Sequence, residues 1–247
     1  MGILVYDIET GPLPWAEIEP LYAPPEKLPP WDDGMVKYGQ TKDPAKRAEK
    51  FAEVKAAYDA KLAAEAAAIA EHKAQWAREA ALSPVTGRVL AIGVRSERGQ
   101  AIVGNDAPCQ EADILSDWWS LYRKHNDAHA RFVGYCSNFF DFPFLVWRSY
   151  KLEIPVPESA WDKTGRYPAY SFVDLMDRLP KRGFSDESRK LGDICRWLGI
   201  GAKPDGVDGG MFASLWGGSP EDHQQAAEYL LNDLDMTWRL AERMGVI

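Results

Sequence analysis

Apolar and polar positions along the chain alternate between short β-rich runs and longer helical patterns. The run from Ile3 to Ile8 precedes Thr10-Gly11-Pro12, which predicts a strand that ends in a turn. Two further runs, Arg88 to Val94 and Gln100 to Val103, flank the connection Ser96-Glu97-Arg98-Gly99 and predict an antiparallel hairpin. The chain therefore begins a β-sheet.

The second half of the chain continues with alternating helices and strands. Glu111 to Lys124 has apolar residues at helical spacing, Phe132 to Cys136 predicts a short strand, and a second helix begins near Asp141. The remaining predicted elements are a strand or extended segment at Tyr170 to Leu175 and helices at Glu187 to Leu198 and Pro220 to Met244. The order βββαβα predicts an α/β fold with a mixed sheet.

Between the first two strands lies an insertion, residues 12–87. It opens with a Pro-rich stretch, Pro12 to Trp31, and continues as an Ala-rich segment from Pro44 to Leu82. Asp43 followed by Pro44 is a typical N-cap and first-turn pair, and no Gly or Pro follows before Pro84. The segment therefore predicts a helix of roughly 55–60 Å.

The apolar residues of this 44–82 helix form one stripe that another surface must cover. They are Phe51, Val54, Tyr58, Leu62, Ile69 and Trp76. The favoured interpretation is packing on its own domain or self-association in a dimer. The alternative is a clamp over a bound strand.

Charge and cysteine content exclude several classes of protein. The 29 basic and 37 acidic side chains give a net charge of −8, so any nucleic-acid contact must be local. The three cysteines form no CxxC pair and suggest neither a disulfide framework nor a zinc knuckle. The N-terminus becomes acidic too early for a signal peptide, and no apolar run is long enough for a membrane span. We expect a soluble cytoplasmic protein.

Two groups of acidic residues could bind cations. Asp7 and Glu9 project from the same face of the first strand, about 6.8 Å apart, and their repulsion would be relieved by divalent cations. The alternative is a strand end exposed to solvent. Asp141 lies at a strand-to-helix junction, where it either caps the helix or faces a site.

A third group lies on the last predicted helix. Tyr229 and Asp233 are four residues apart and share one face, whereas Asp235 points about 240° away from Tyr229. We therefore choose Asp233 over Asp235. By themselves, a Tyr and an Asp at this spacing would usually be a surface or half-buried pair.

Three segments in chain order, YDIETGPL, GYCSNFFDFPFL and YLLNDLDMT, resemble the motifs of DEDD-superfamily 3′-to-5′ exonucleases. The match is to the tyrosine-containing (DEDDy) branch, and the chain looks similar to exonucleases related to the proofreading domain of family B DNA polymerases. LMDRLPKRG, LGDICRWLGI and KPDGVDGG also resemble the stretch that joins the second and third motifs. The resemblance implies an RNase H-like fold, a mixed five-stranded sheet flanked by helices.

The resemblance also implies a catalytic site with two divalent cations, Mg²⁺ or Mn²⁺. Asp7 would bridge both cations, Glu9 and Asp233 would hold the cation that activates water, and Asp141 would support the second. Tyr229 would orient the attacking water. The four histidines fall outside the motifs, so the histidine-containing branch is not matched.

Several other residues are candidates for substrate contacts. They are Thr10, Asn138, Phe139, Phe140, Arg178 and Arg182. The phenylalanines could stack on terminal bases or pack in the core, and the arginines, with Lys181, Arg189 and Lys190, could contact phosphates or form a solvated loop. At Cys136 the chain departs from the family pattern, because related proteins commonly have Asn at this position. This difference affects the expected contacts with the end of the nucleic-acid strand and leaves the expected metal site unchanged.

Taken together, the sequence predicts a single RNase H-like domain, residues 1–247, that contains the 12–87 insertion. The predicted activity is removal of nucleoside 5′-monophosphates from the 3′ end of single-stranded nucleic acid. DNA is favoured by the resemblance, and a 3′-to-5′ exoribonuclease is the nearest alternative. The alternative from a different class is a non-catalytic scaffold that uses the long 44–82 helix to recruit a polymerase or repair partner.

Overall fold

The structure is a computed structural model that describes residues 2–104, 109–161, 171–180, 189–203, 206 and 208–247. The chain forms two compact units. One comprises Met1–Leu13 and Ala80–Ile247, and the other comprises Pro14–Glu79. The first unit contains the sheet, and the second contains most of the insertion.

The first unit is built on a five-stranded sheet with the order β3-β2-β1-β4-β5. The strands are β1 Ile3–Pro12, β2 Gly87–Ser96, β3 Gly99–Val103, β4 Arg131–Gly134 and β5 Phe172–Asp174. The β1–β2 and β2–β3 pairs are antiparallel, whereas β1–β4 and β4–β5 are parallel. The mixed five-stranded sheet and the predicted hairpin are confirmed.

The described α-helices follow the predicted order, with four short additions, α1, α5, α6 and α8. They are α1 Trp15–Ile18, α2 Pro44–Ala80, α3 Glu111–Asp127, α4 Asp141–Lys151, α5 Glu158–Trp161, α6 Leu175–Arg178, α7 Leu191–Trp197, α8 Gly209–Trp216 and α9 Pro220–Arg243. Helix α8 was not predicted because it begins with two glycines and is short; the Asp208 side chain caps it by accepting a hydrogen bond from Met211 N.

The turn predicted at Thr10-Gly11-Pro12 is wrong, because β1 continues through these residues. Gly11 pairs with Arg88 and Pro12 with Gly87, so the antiparallel partner strand extends the sheet past the expected end. The register shifts between Glu9 and Thr10, which marks a β-bulge there. Thr10 is therefore a strand residue, and Pro12 is tolerated because it ends the strand.

The two faces of β1 pack against different helices. Tyr6 contacts Trp118 of α3, with ring centroids 5.1 Å apart, in the cluster on one face. Val5 belongs to the other cluster, which contains residues of α7 and α9. Because side chains alternate along a strand, Asp7 and Glu9 lie on the face of Val5. Both carboxylates are therefore on the α9 side of the sheet.

Gly93 allows α9 to approach the sheet closely beside Asp7. In the β1–β2 register, Asp7 is the partner of Gly93. A Cβ atom at Gly93 would lie 2.8 Å from Leu234 Cδ1 and 2.9 Å from Leu230 Cδ1, closer than carbon atoms pack. The absent side chain thus lets α9 bring Asp233 towards β1.

In the second unit, the Pro-rich stretch covers part of the α2 stripe. Trp31 packs on Phe51 and Tyr58, with ring centroids 5.8 and 5.2 Å away. Tyr22 packs on Trp76 at 5.3 Å, nearer the end of the helix. These contacts are intramolecular packing, one of the two arrangements that the favoured interpretation allowed for the stripe.

The long helix itself agrees with the prediction. It spans Pro44–Ala80, and the Asp43 side chain accepts a hydrogen bond from Ala45 N at 2.9 Å, as expected for an N-cap. Within the described parts of the chain, this helix and the others all fall short of the combined length and apolarity that crossing a membrane requires.

Candidate metal centre and active site

Three carboxylates from two distant parts of the chain meet at one point of the sheet. Asp7 and Glu9 come from β1 and Asp233 from α9, and each offers an oxygen atom within 4.8 Å of the others. Asp233 is buried, whereas Asp7 and Glu9 keep part of their surface open to solvent. The geometry of β1 and the close approach of α9 thus assemble an acidic cluster.

Asp141 lies beside this cluster as the first residue of α4. It follows β4, which pairs in parallel with β1, and it is buried. Phe140 occupies the N-cap position, and the helix has no side-chain cap, so Asp141 does not cap α4. Burial raises the pKa of Asp141 well above its ordinary value, and the charges of Asp7, Asp174 and Glu9 raise it further.

The unpaired oxygens of this group fit a divalent cation. Asp141 Oδ2 and Asp233 Oδ1 are buried and have no hydrogen-bond partner among the described residues. A buried carboxylate oxygen without a partner is unfavourable unless a cation or a donor satisfies it. Hard cations such as Mg²⁺ prefer oxygen ligands of this kind. The donor set is therefore suitable for divalent metal binding.

The pKa values of the cluster reflect burial and mutual repulsion. Burial, followed by the charge of Asp233, raises the pKa of Asp7 to about 7. Burial, followed by the charges of Asp7 and Asp233, raises the pKa of Glu9 well above its ordinary value. The cluster therefore retains protons at a pH where isolated carboxylates are ionised, and a divalent cation would displace them.

Lys203 is a member of the site that sequence reasoning missed. Its Nζ donates a hydrogen bond to Asp233 Oδ2 at 2.6 Å and another to the Tyr229 hydroxyl at 2.5 Å. Burial opposes its charge, but Asp233 and both hydrogen bonds more than compensate, so the pKa of Lys203 lies above its ordinary value. Its position at the start of KPDGVDGG carries no periodic signal, because only tertiary folding brings it to α9.

Tyr229 lies one helical turn before Asp233 and is buried. Its ring packs against Phe212 of α8, with centroids 6.4 Å apart. Burial, followed by the charge of Asp233, raises the pKa of Tyr229 to about 12. The phenol is therefore protonated at neutral pH and able to donate a hydrogen bond.

Asp235, the alternative to Asp233, has other partners. It forms ion pairs with Arg95 and with Arg239, whose Nε lies 2.7 Å from Asp235 Oδ2. The Asp235 carboxylate is thus paired with two arginines and is not one of the three clustered carboxylates.

The predicted substrate-contact residues near the cluster have different environments. Thr10 is buried on β1 immediately after Glu9. Phe139 is 87% exposed, whereas Phe140 packs on Phe144 at 5.5 Å and joins the core. Asn138 is partly buried, and its backbone N–H is hydrogen-bonded to Asp174. Of the two phenylalanines, only Phe139 presents a free ring.

Arg178 and Arg189 of the predicted basic cluster lie among the described residues, where each has its own contacts. Arg178 lines a cavity of about 680 Å³ whose described lining contains no residue of the acidic cluster. Arg189 is buried and donates to the carbonyl oxygen of Met176 at 2.6 Å, which is a structural contact. Arg182 and Lys181 lie outside the described residues.

Comparison with known proteins gives two sequence matches. A family model described as RNase H superfamily matches residues 79–245, a range that includes Asp141, Tyr229 and Asp233 but begins after β1. An uncharacterized protein of Methanocaldococcus jannaschii is 28% identical over 165 residues, which is 64% of this chain and 86% of that protein.

A solved structure shares the fold. The family B DNA polymerase of the hyperthermophilic archaeon Pyrobaculum calidifontis aligns with a TM-score of 0.53 and 15% identity. The alignment covers 99% of this chain and 24% of the polymerase, so the chain spans about a quarter of that protein.

Proposed function

We propose that this chain, which belongs to the RNase H superfamily, is a two-metal 3′-to-5′ exonuclease of the DEDDy branch. Proteins with this fold are generally nucleic-acid hydrolases that use divalent metals. The proposed reaction hydrolyses the last phosphodiester bond of a single strand and releases a nucleoside 5′-monophosphate. The three-motif resemblance supports the direction of cleavage and the branch.

One observation carries the proposal. Asp7, Glu9 and Asp233 bring carboxylate oxygens within 4.8 Å of one another, and α9 places Tyr229 one turn before Asp233. Carboxylates so close together and so little exposed destabilise the fold unless bound cations neutralise their charge. Asp141, whose Oδ2 has no hydrogen-bond partner among the described residues, supplies a fourth acid beside the cluster.

The four carboxylates would hold two divalent cations, which when bound supply an activated water nucleophile and stabilise charge on the scissile phosphate. The chain's own residues orient the reactants. Lys203 donates a hydrogen bond to the Tyr229 oxygen, and the phenol is also hydrogen-bonded to Asp233. These two contacts would fix Tyr229 in place to orient the attacking water. Lys203 also offsets the negative charge of Asp233, next to the position where a phosphate would enter.

The proposed substrate is single-stranded because the terminal phosphate must reach a partly buried cluster on the face of a sheet. A net charge of −8 favours recognition of a strand end over general binding to duplex DNA. DNA is favoured by the resemblance to polymerase-related exonucleases. RNA is the second candidate, and both are included in the test below.

The test measures shortening of 5′-labelled single-stranded DNA and RNA on denaturing gels with Mg²⁺ or Mn²⁺. Asp233→Asn should lower the rate about a hundredfold or more, as expected for loss of a metal ligand. Asp235→Asn is the matched control, because Asp235 lies two residues away on the same helix but pairs with Arg95 and Arg239. This control should retain activity.

A ladder that shortens from the 3′ end, requires metal and disappears in Asp233→Asn but not in Asp235→Asn would support the proposal. The relative rates on DNA and RNA would identify the preferred sugar. If the folded wild-type protein binds divalent metal but cleaves neither strand, the proposal fails and the scaffold alternative gains support. Equal activity of Asp233→Asn and wild type would also refute it.

A further inference from the structure

We propose that Asp174 is a positioning residue that holds the loop of residues 135–140, here called the Phe139 loop, so that Phe139 stacks on the base of the 3′-terminal nucleotide. This inference rests on the proposed function. It selects Phe139 among the candidate substrate contacts and adds the residue that preorganises its loop.

The Asp174 carboxylate fastens the Phe139 loop from a neighbouring strand. Asp174 is the buried last residue of β5. Its Oδ1 accepts hydrogen bonds from Cys136 N and Met176 N, both at 2.9 Å, and its Oδ2 accepts one from Asn138 N at 2.9 Å. Hydrogen bonds from backbone N–H groups to a buried carboxylate are among the stronger ones in proteins. One side chain thus joins β5 to the loop.

The role of Asp174 differs from that of the acidic cluster. Both of its oxygens are engaged by backbone donors, whereas Asp141 Oδ2 has no partner among the described residues. A carboxylate that already accepts three N–H groups is poorly suited to ligate a cation. Asp174 therefore acts through the loop that it holds.

The Phe139 loop is held in a conformation that needs such support. Cys136 has a φ of 60°, in the left-handed region that a non-glycine residue rarely adopts. Phe140 N donates to the Cys136 carbonyl at 3.0 Å, and a Cβ atom at Gly134 would lie 2.4 Å from Ser137 Cβ. A strained backbone of this kind persists only when the surrounding contacts fix it, and such strain concentrates at functional sites.

The loop presents one large aromatic ring to solvent. Phe139 is 87% exposed and precedes Asp141 by two residues, so it stands close in sequence to the acidic cluster. A single exposed apolar residue is ordinary on a protein surface. Here, however, the ring is carried by a tightly bonded backbone, and an ordered platform loses little conformational entropy when a base stacks on it.

The experiment compares Asp174→Asn, Phe139→Ala and the double variant with wild type. Asparagine keeps the shape of the side chain, but its NH₂ group would face backbone N–H donors and lose a hydrogen bond. Asp117→Asn, an exposed position on α3, is the matched control. Gly134→Ala perturbs the loop from within, by displacing Ser137, and leaves Asp174 intact. The substrates are single-stranded DNA and the same strand ending in an abasic nucleotide, here called the baseless ester, which carries no terminal base.

Both single variants should raise KM for DNA about tenfold, the size of one lost base stack, with little change in kcat. Hydrolysis of the baseless ester should be unchanged. The double variant should be no worse than either single variant, because both remove the same interaction. Gly134→Ala should give the same rise in KM for DNA. In a binding assay by fluorescence anisotropy, an oligonucleotide without its terminal base should bind wild type and Phe139→Ala with equal affinity.

Equal losses on DNA and on the baseless ester would show that Asp174 supports the metal centre or the fold in general, and would overturn the inference. Unchanged KM in Phe139→Ala, which has no buried contact to lose, would overturn it as well. The anisotropy measurement separates the two proposals. If binding depends on Phe139 but no cleavage occurs, the proposed function is refuted and the inference stands. If cleavage occurs at the same rate with and without the Phe139 ring, the proposed function stands and the inference is refuted.

Discussion

Replacement of Asp7 by Asn should stabilise the metal-free protein at neutral and higher pH. In the folded protein, Asp7 shares a confined space with Glu9 and Asp233, and only Lys203 supplies a nearby opposite charge among the groups that shift its pKa. The Asn side chain has nearly the same shape but no charge. Its effect on the free energy of unfolding therefore reports the repulsion within the cluster.

The direction and size of the effect follow from the pKa of Asp7. Its folded-state pKa is about 7 and its ordinary value is 3.8. Between these values the folded state binds more protons than the unfolded state, so stability falls as pH rises and stays low above pH 7. A difference of about three pH units corresponds to about 4 kcal/mol at 1.36 kcal/mol per unit. Solvent screening of the partly exposed Asp7 makes this an upper bound.

The assay is urea denaturation followed by tryptophan fluorescence, in the presence of a chelator, at several pH values from 4 to 8. The difference between Asp7→Asn and wild type should be near zero at the acidic end and reach about 2–4 kcal/mol above pH 7. Saturating Mg²⁺ should stabilise wild type but not the variant. A variant that is less stable than wild type at pH 8 in chelator, or a difference that does not depend on pH, would refute the reasoning.

Three further predictions concern the groups around the cluster. Lys203→Met should lower the free energy of unfolding of the metal-free protein by about 3 kcal/mol at pH 8, because it leaves Asp233 unpaired, and added Mg²⁺ should recover most of the loss in the same denaturation assay. Gly93→Ala should cost about 1–3 kcal/mol and weaken Mg²⁺ binding measured by calorimetry, since its Cβ displaces Leu234 and α9; unchanged affinity would contradict this. Cys136→Asn should raise stability by about 1 kcal/mol in a thermal melt, because Asn adopts the left-handed conformation at lower cost, and a lower Tm would contradict the assignment of strain.

Most of the secondary structure could be predicted from the sequence because its elements have strong local periodicity. The first strands, the helices α3, α4 and α9, and the long helix α2 all appear where the apolar spacing predicts them. The failures have local causes. The predicted turn after Ile8 was wrong because pairing with β2 extends β1 through Thr10-Gly11-Pro12, and α8 was missed because its two glycines resemble a loop.

The candidate site could be predicted from the sequence only in part. Two-residue spacing on a strand and four-residue spacing on a helix placed Asp7 with Glu9 and Tyr229 with Asp233, because side-chain direction follows from local backbone geometry. These periodicities do not predict that strand β1 and helix α9 face each other. The resemblance of the three motifs supplied that expectation, and the structure brings Asp7, Glu9 and Asp233 together.

The sequence by itself thus determined the longer helices and most strand positions, since each depends on residues a few positions apart. Only the tertiary structure decided which groups touch. It placed Lys203 between Tyr229 and Asp233, and it joined Asp174 to the backbone of the Phe139 loop. These contacts link segments that are far apart along the chain. They arise because the sheet order and the close packing of α9 at Gly93 set distances that local periodicity does not encode.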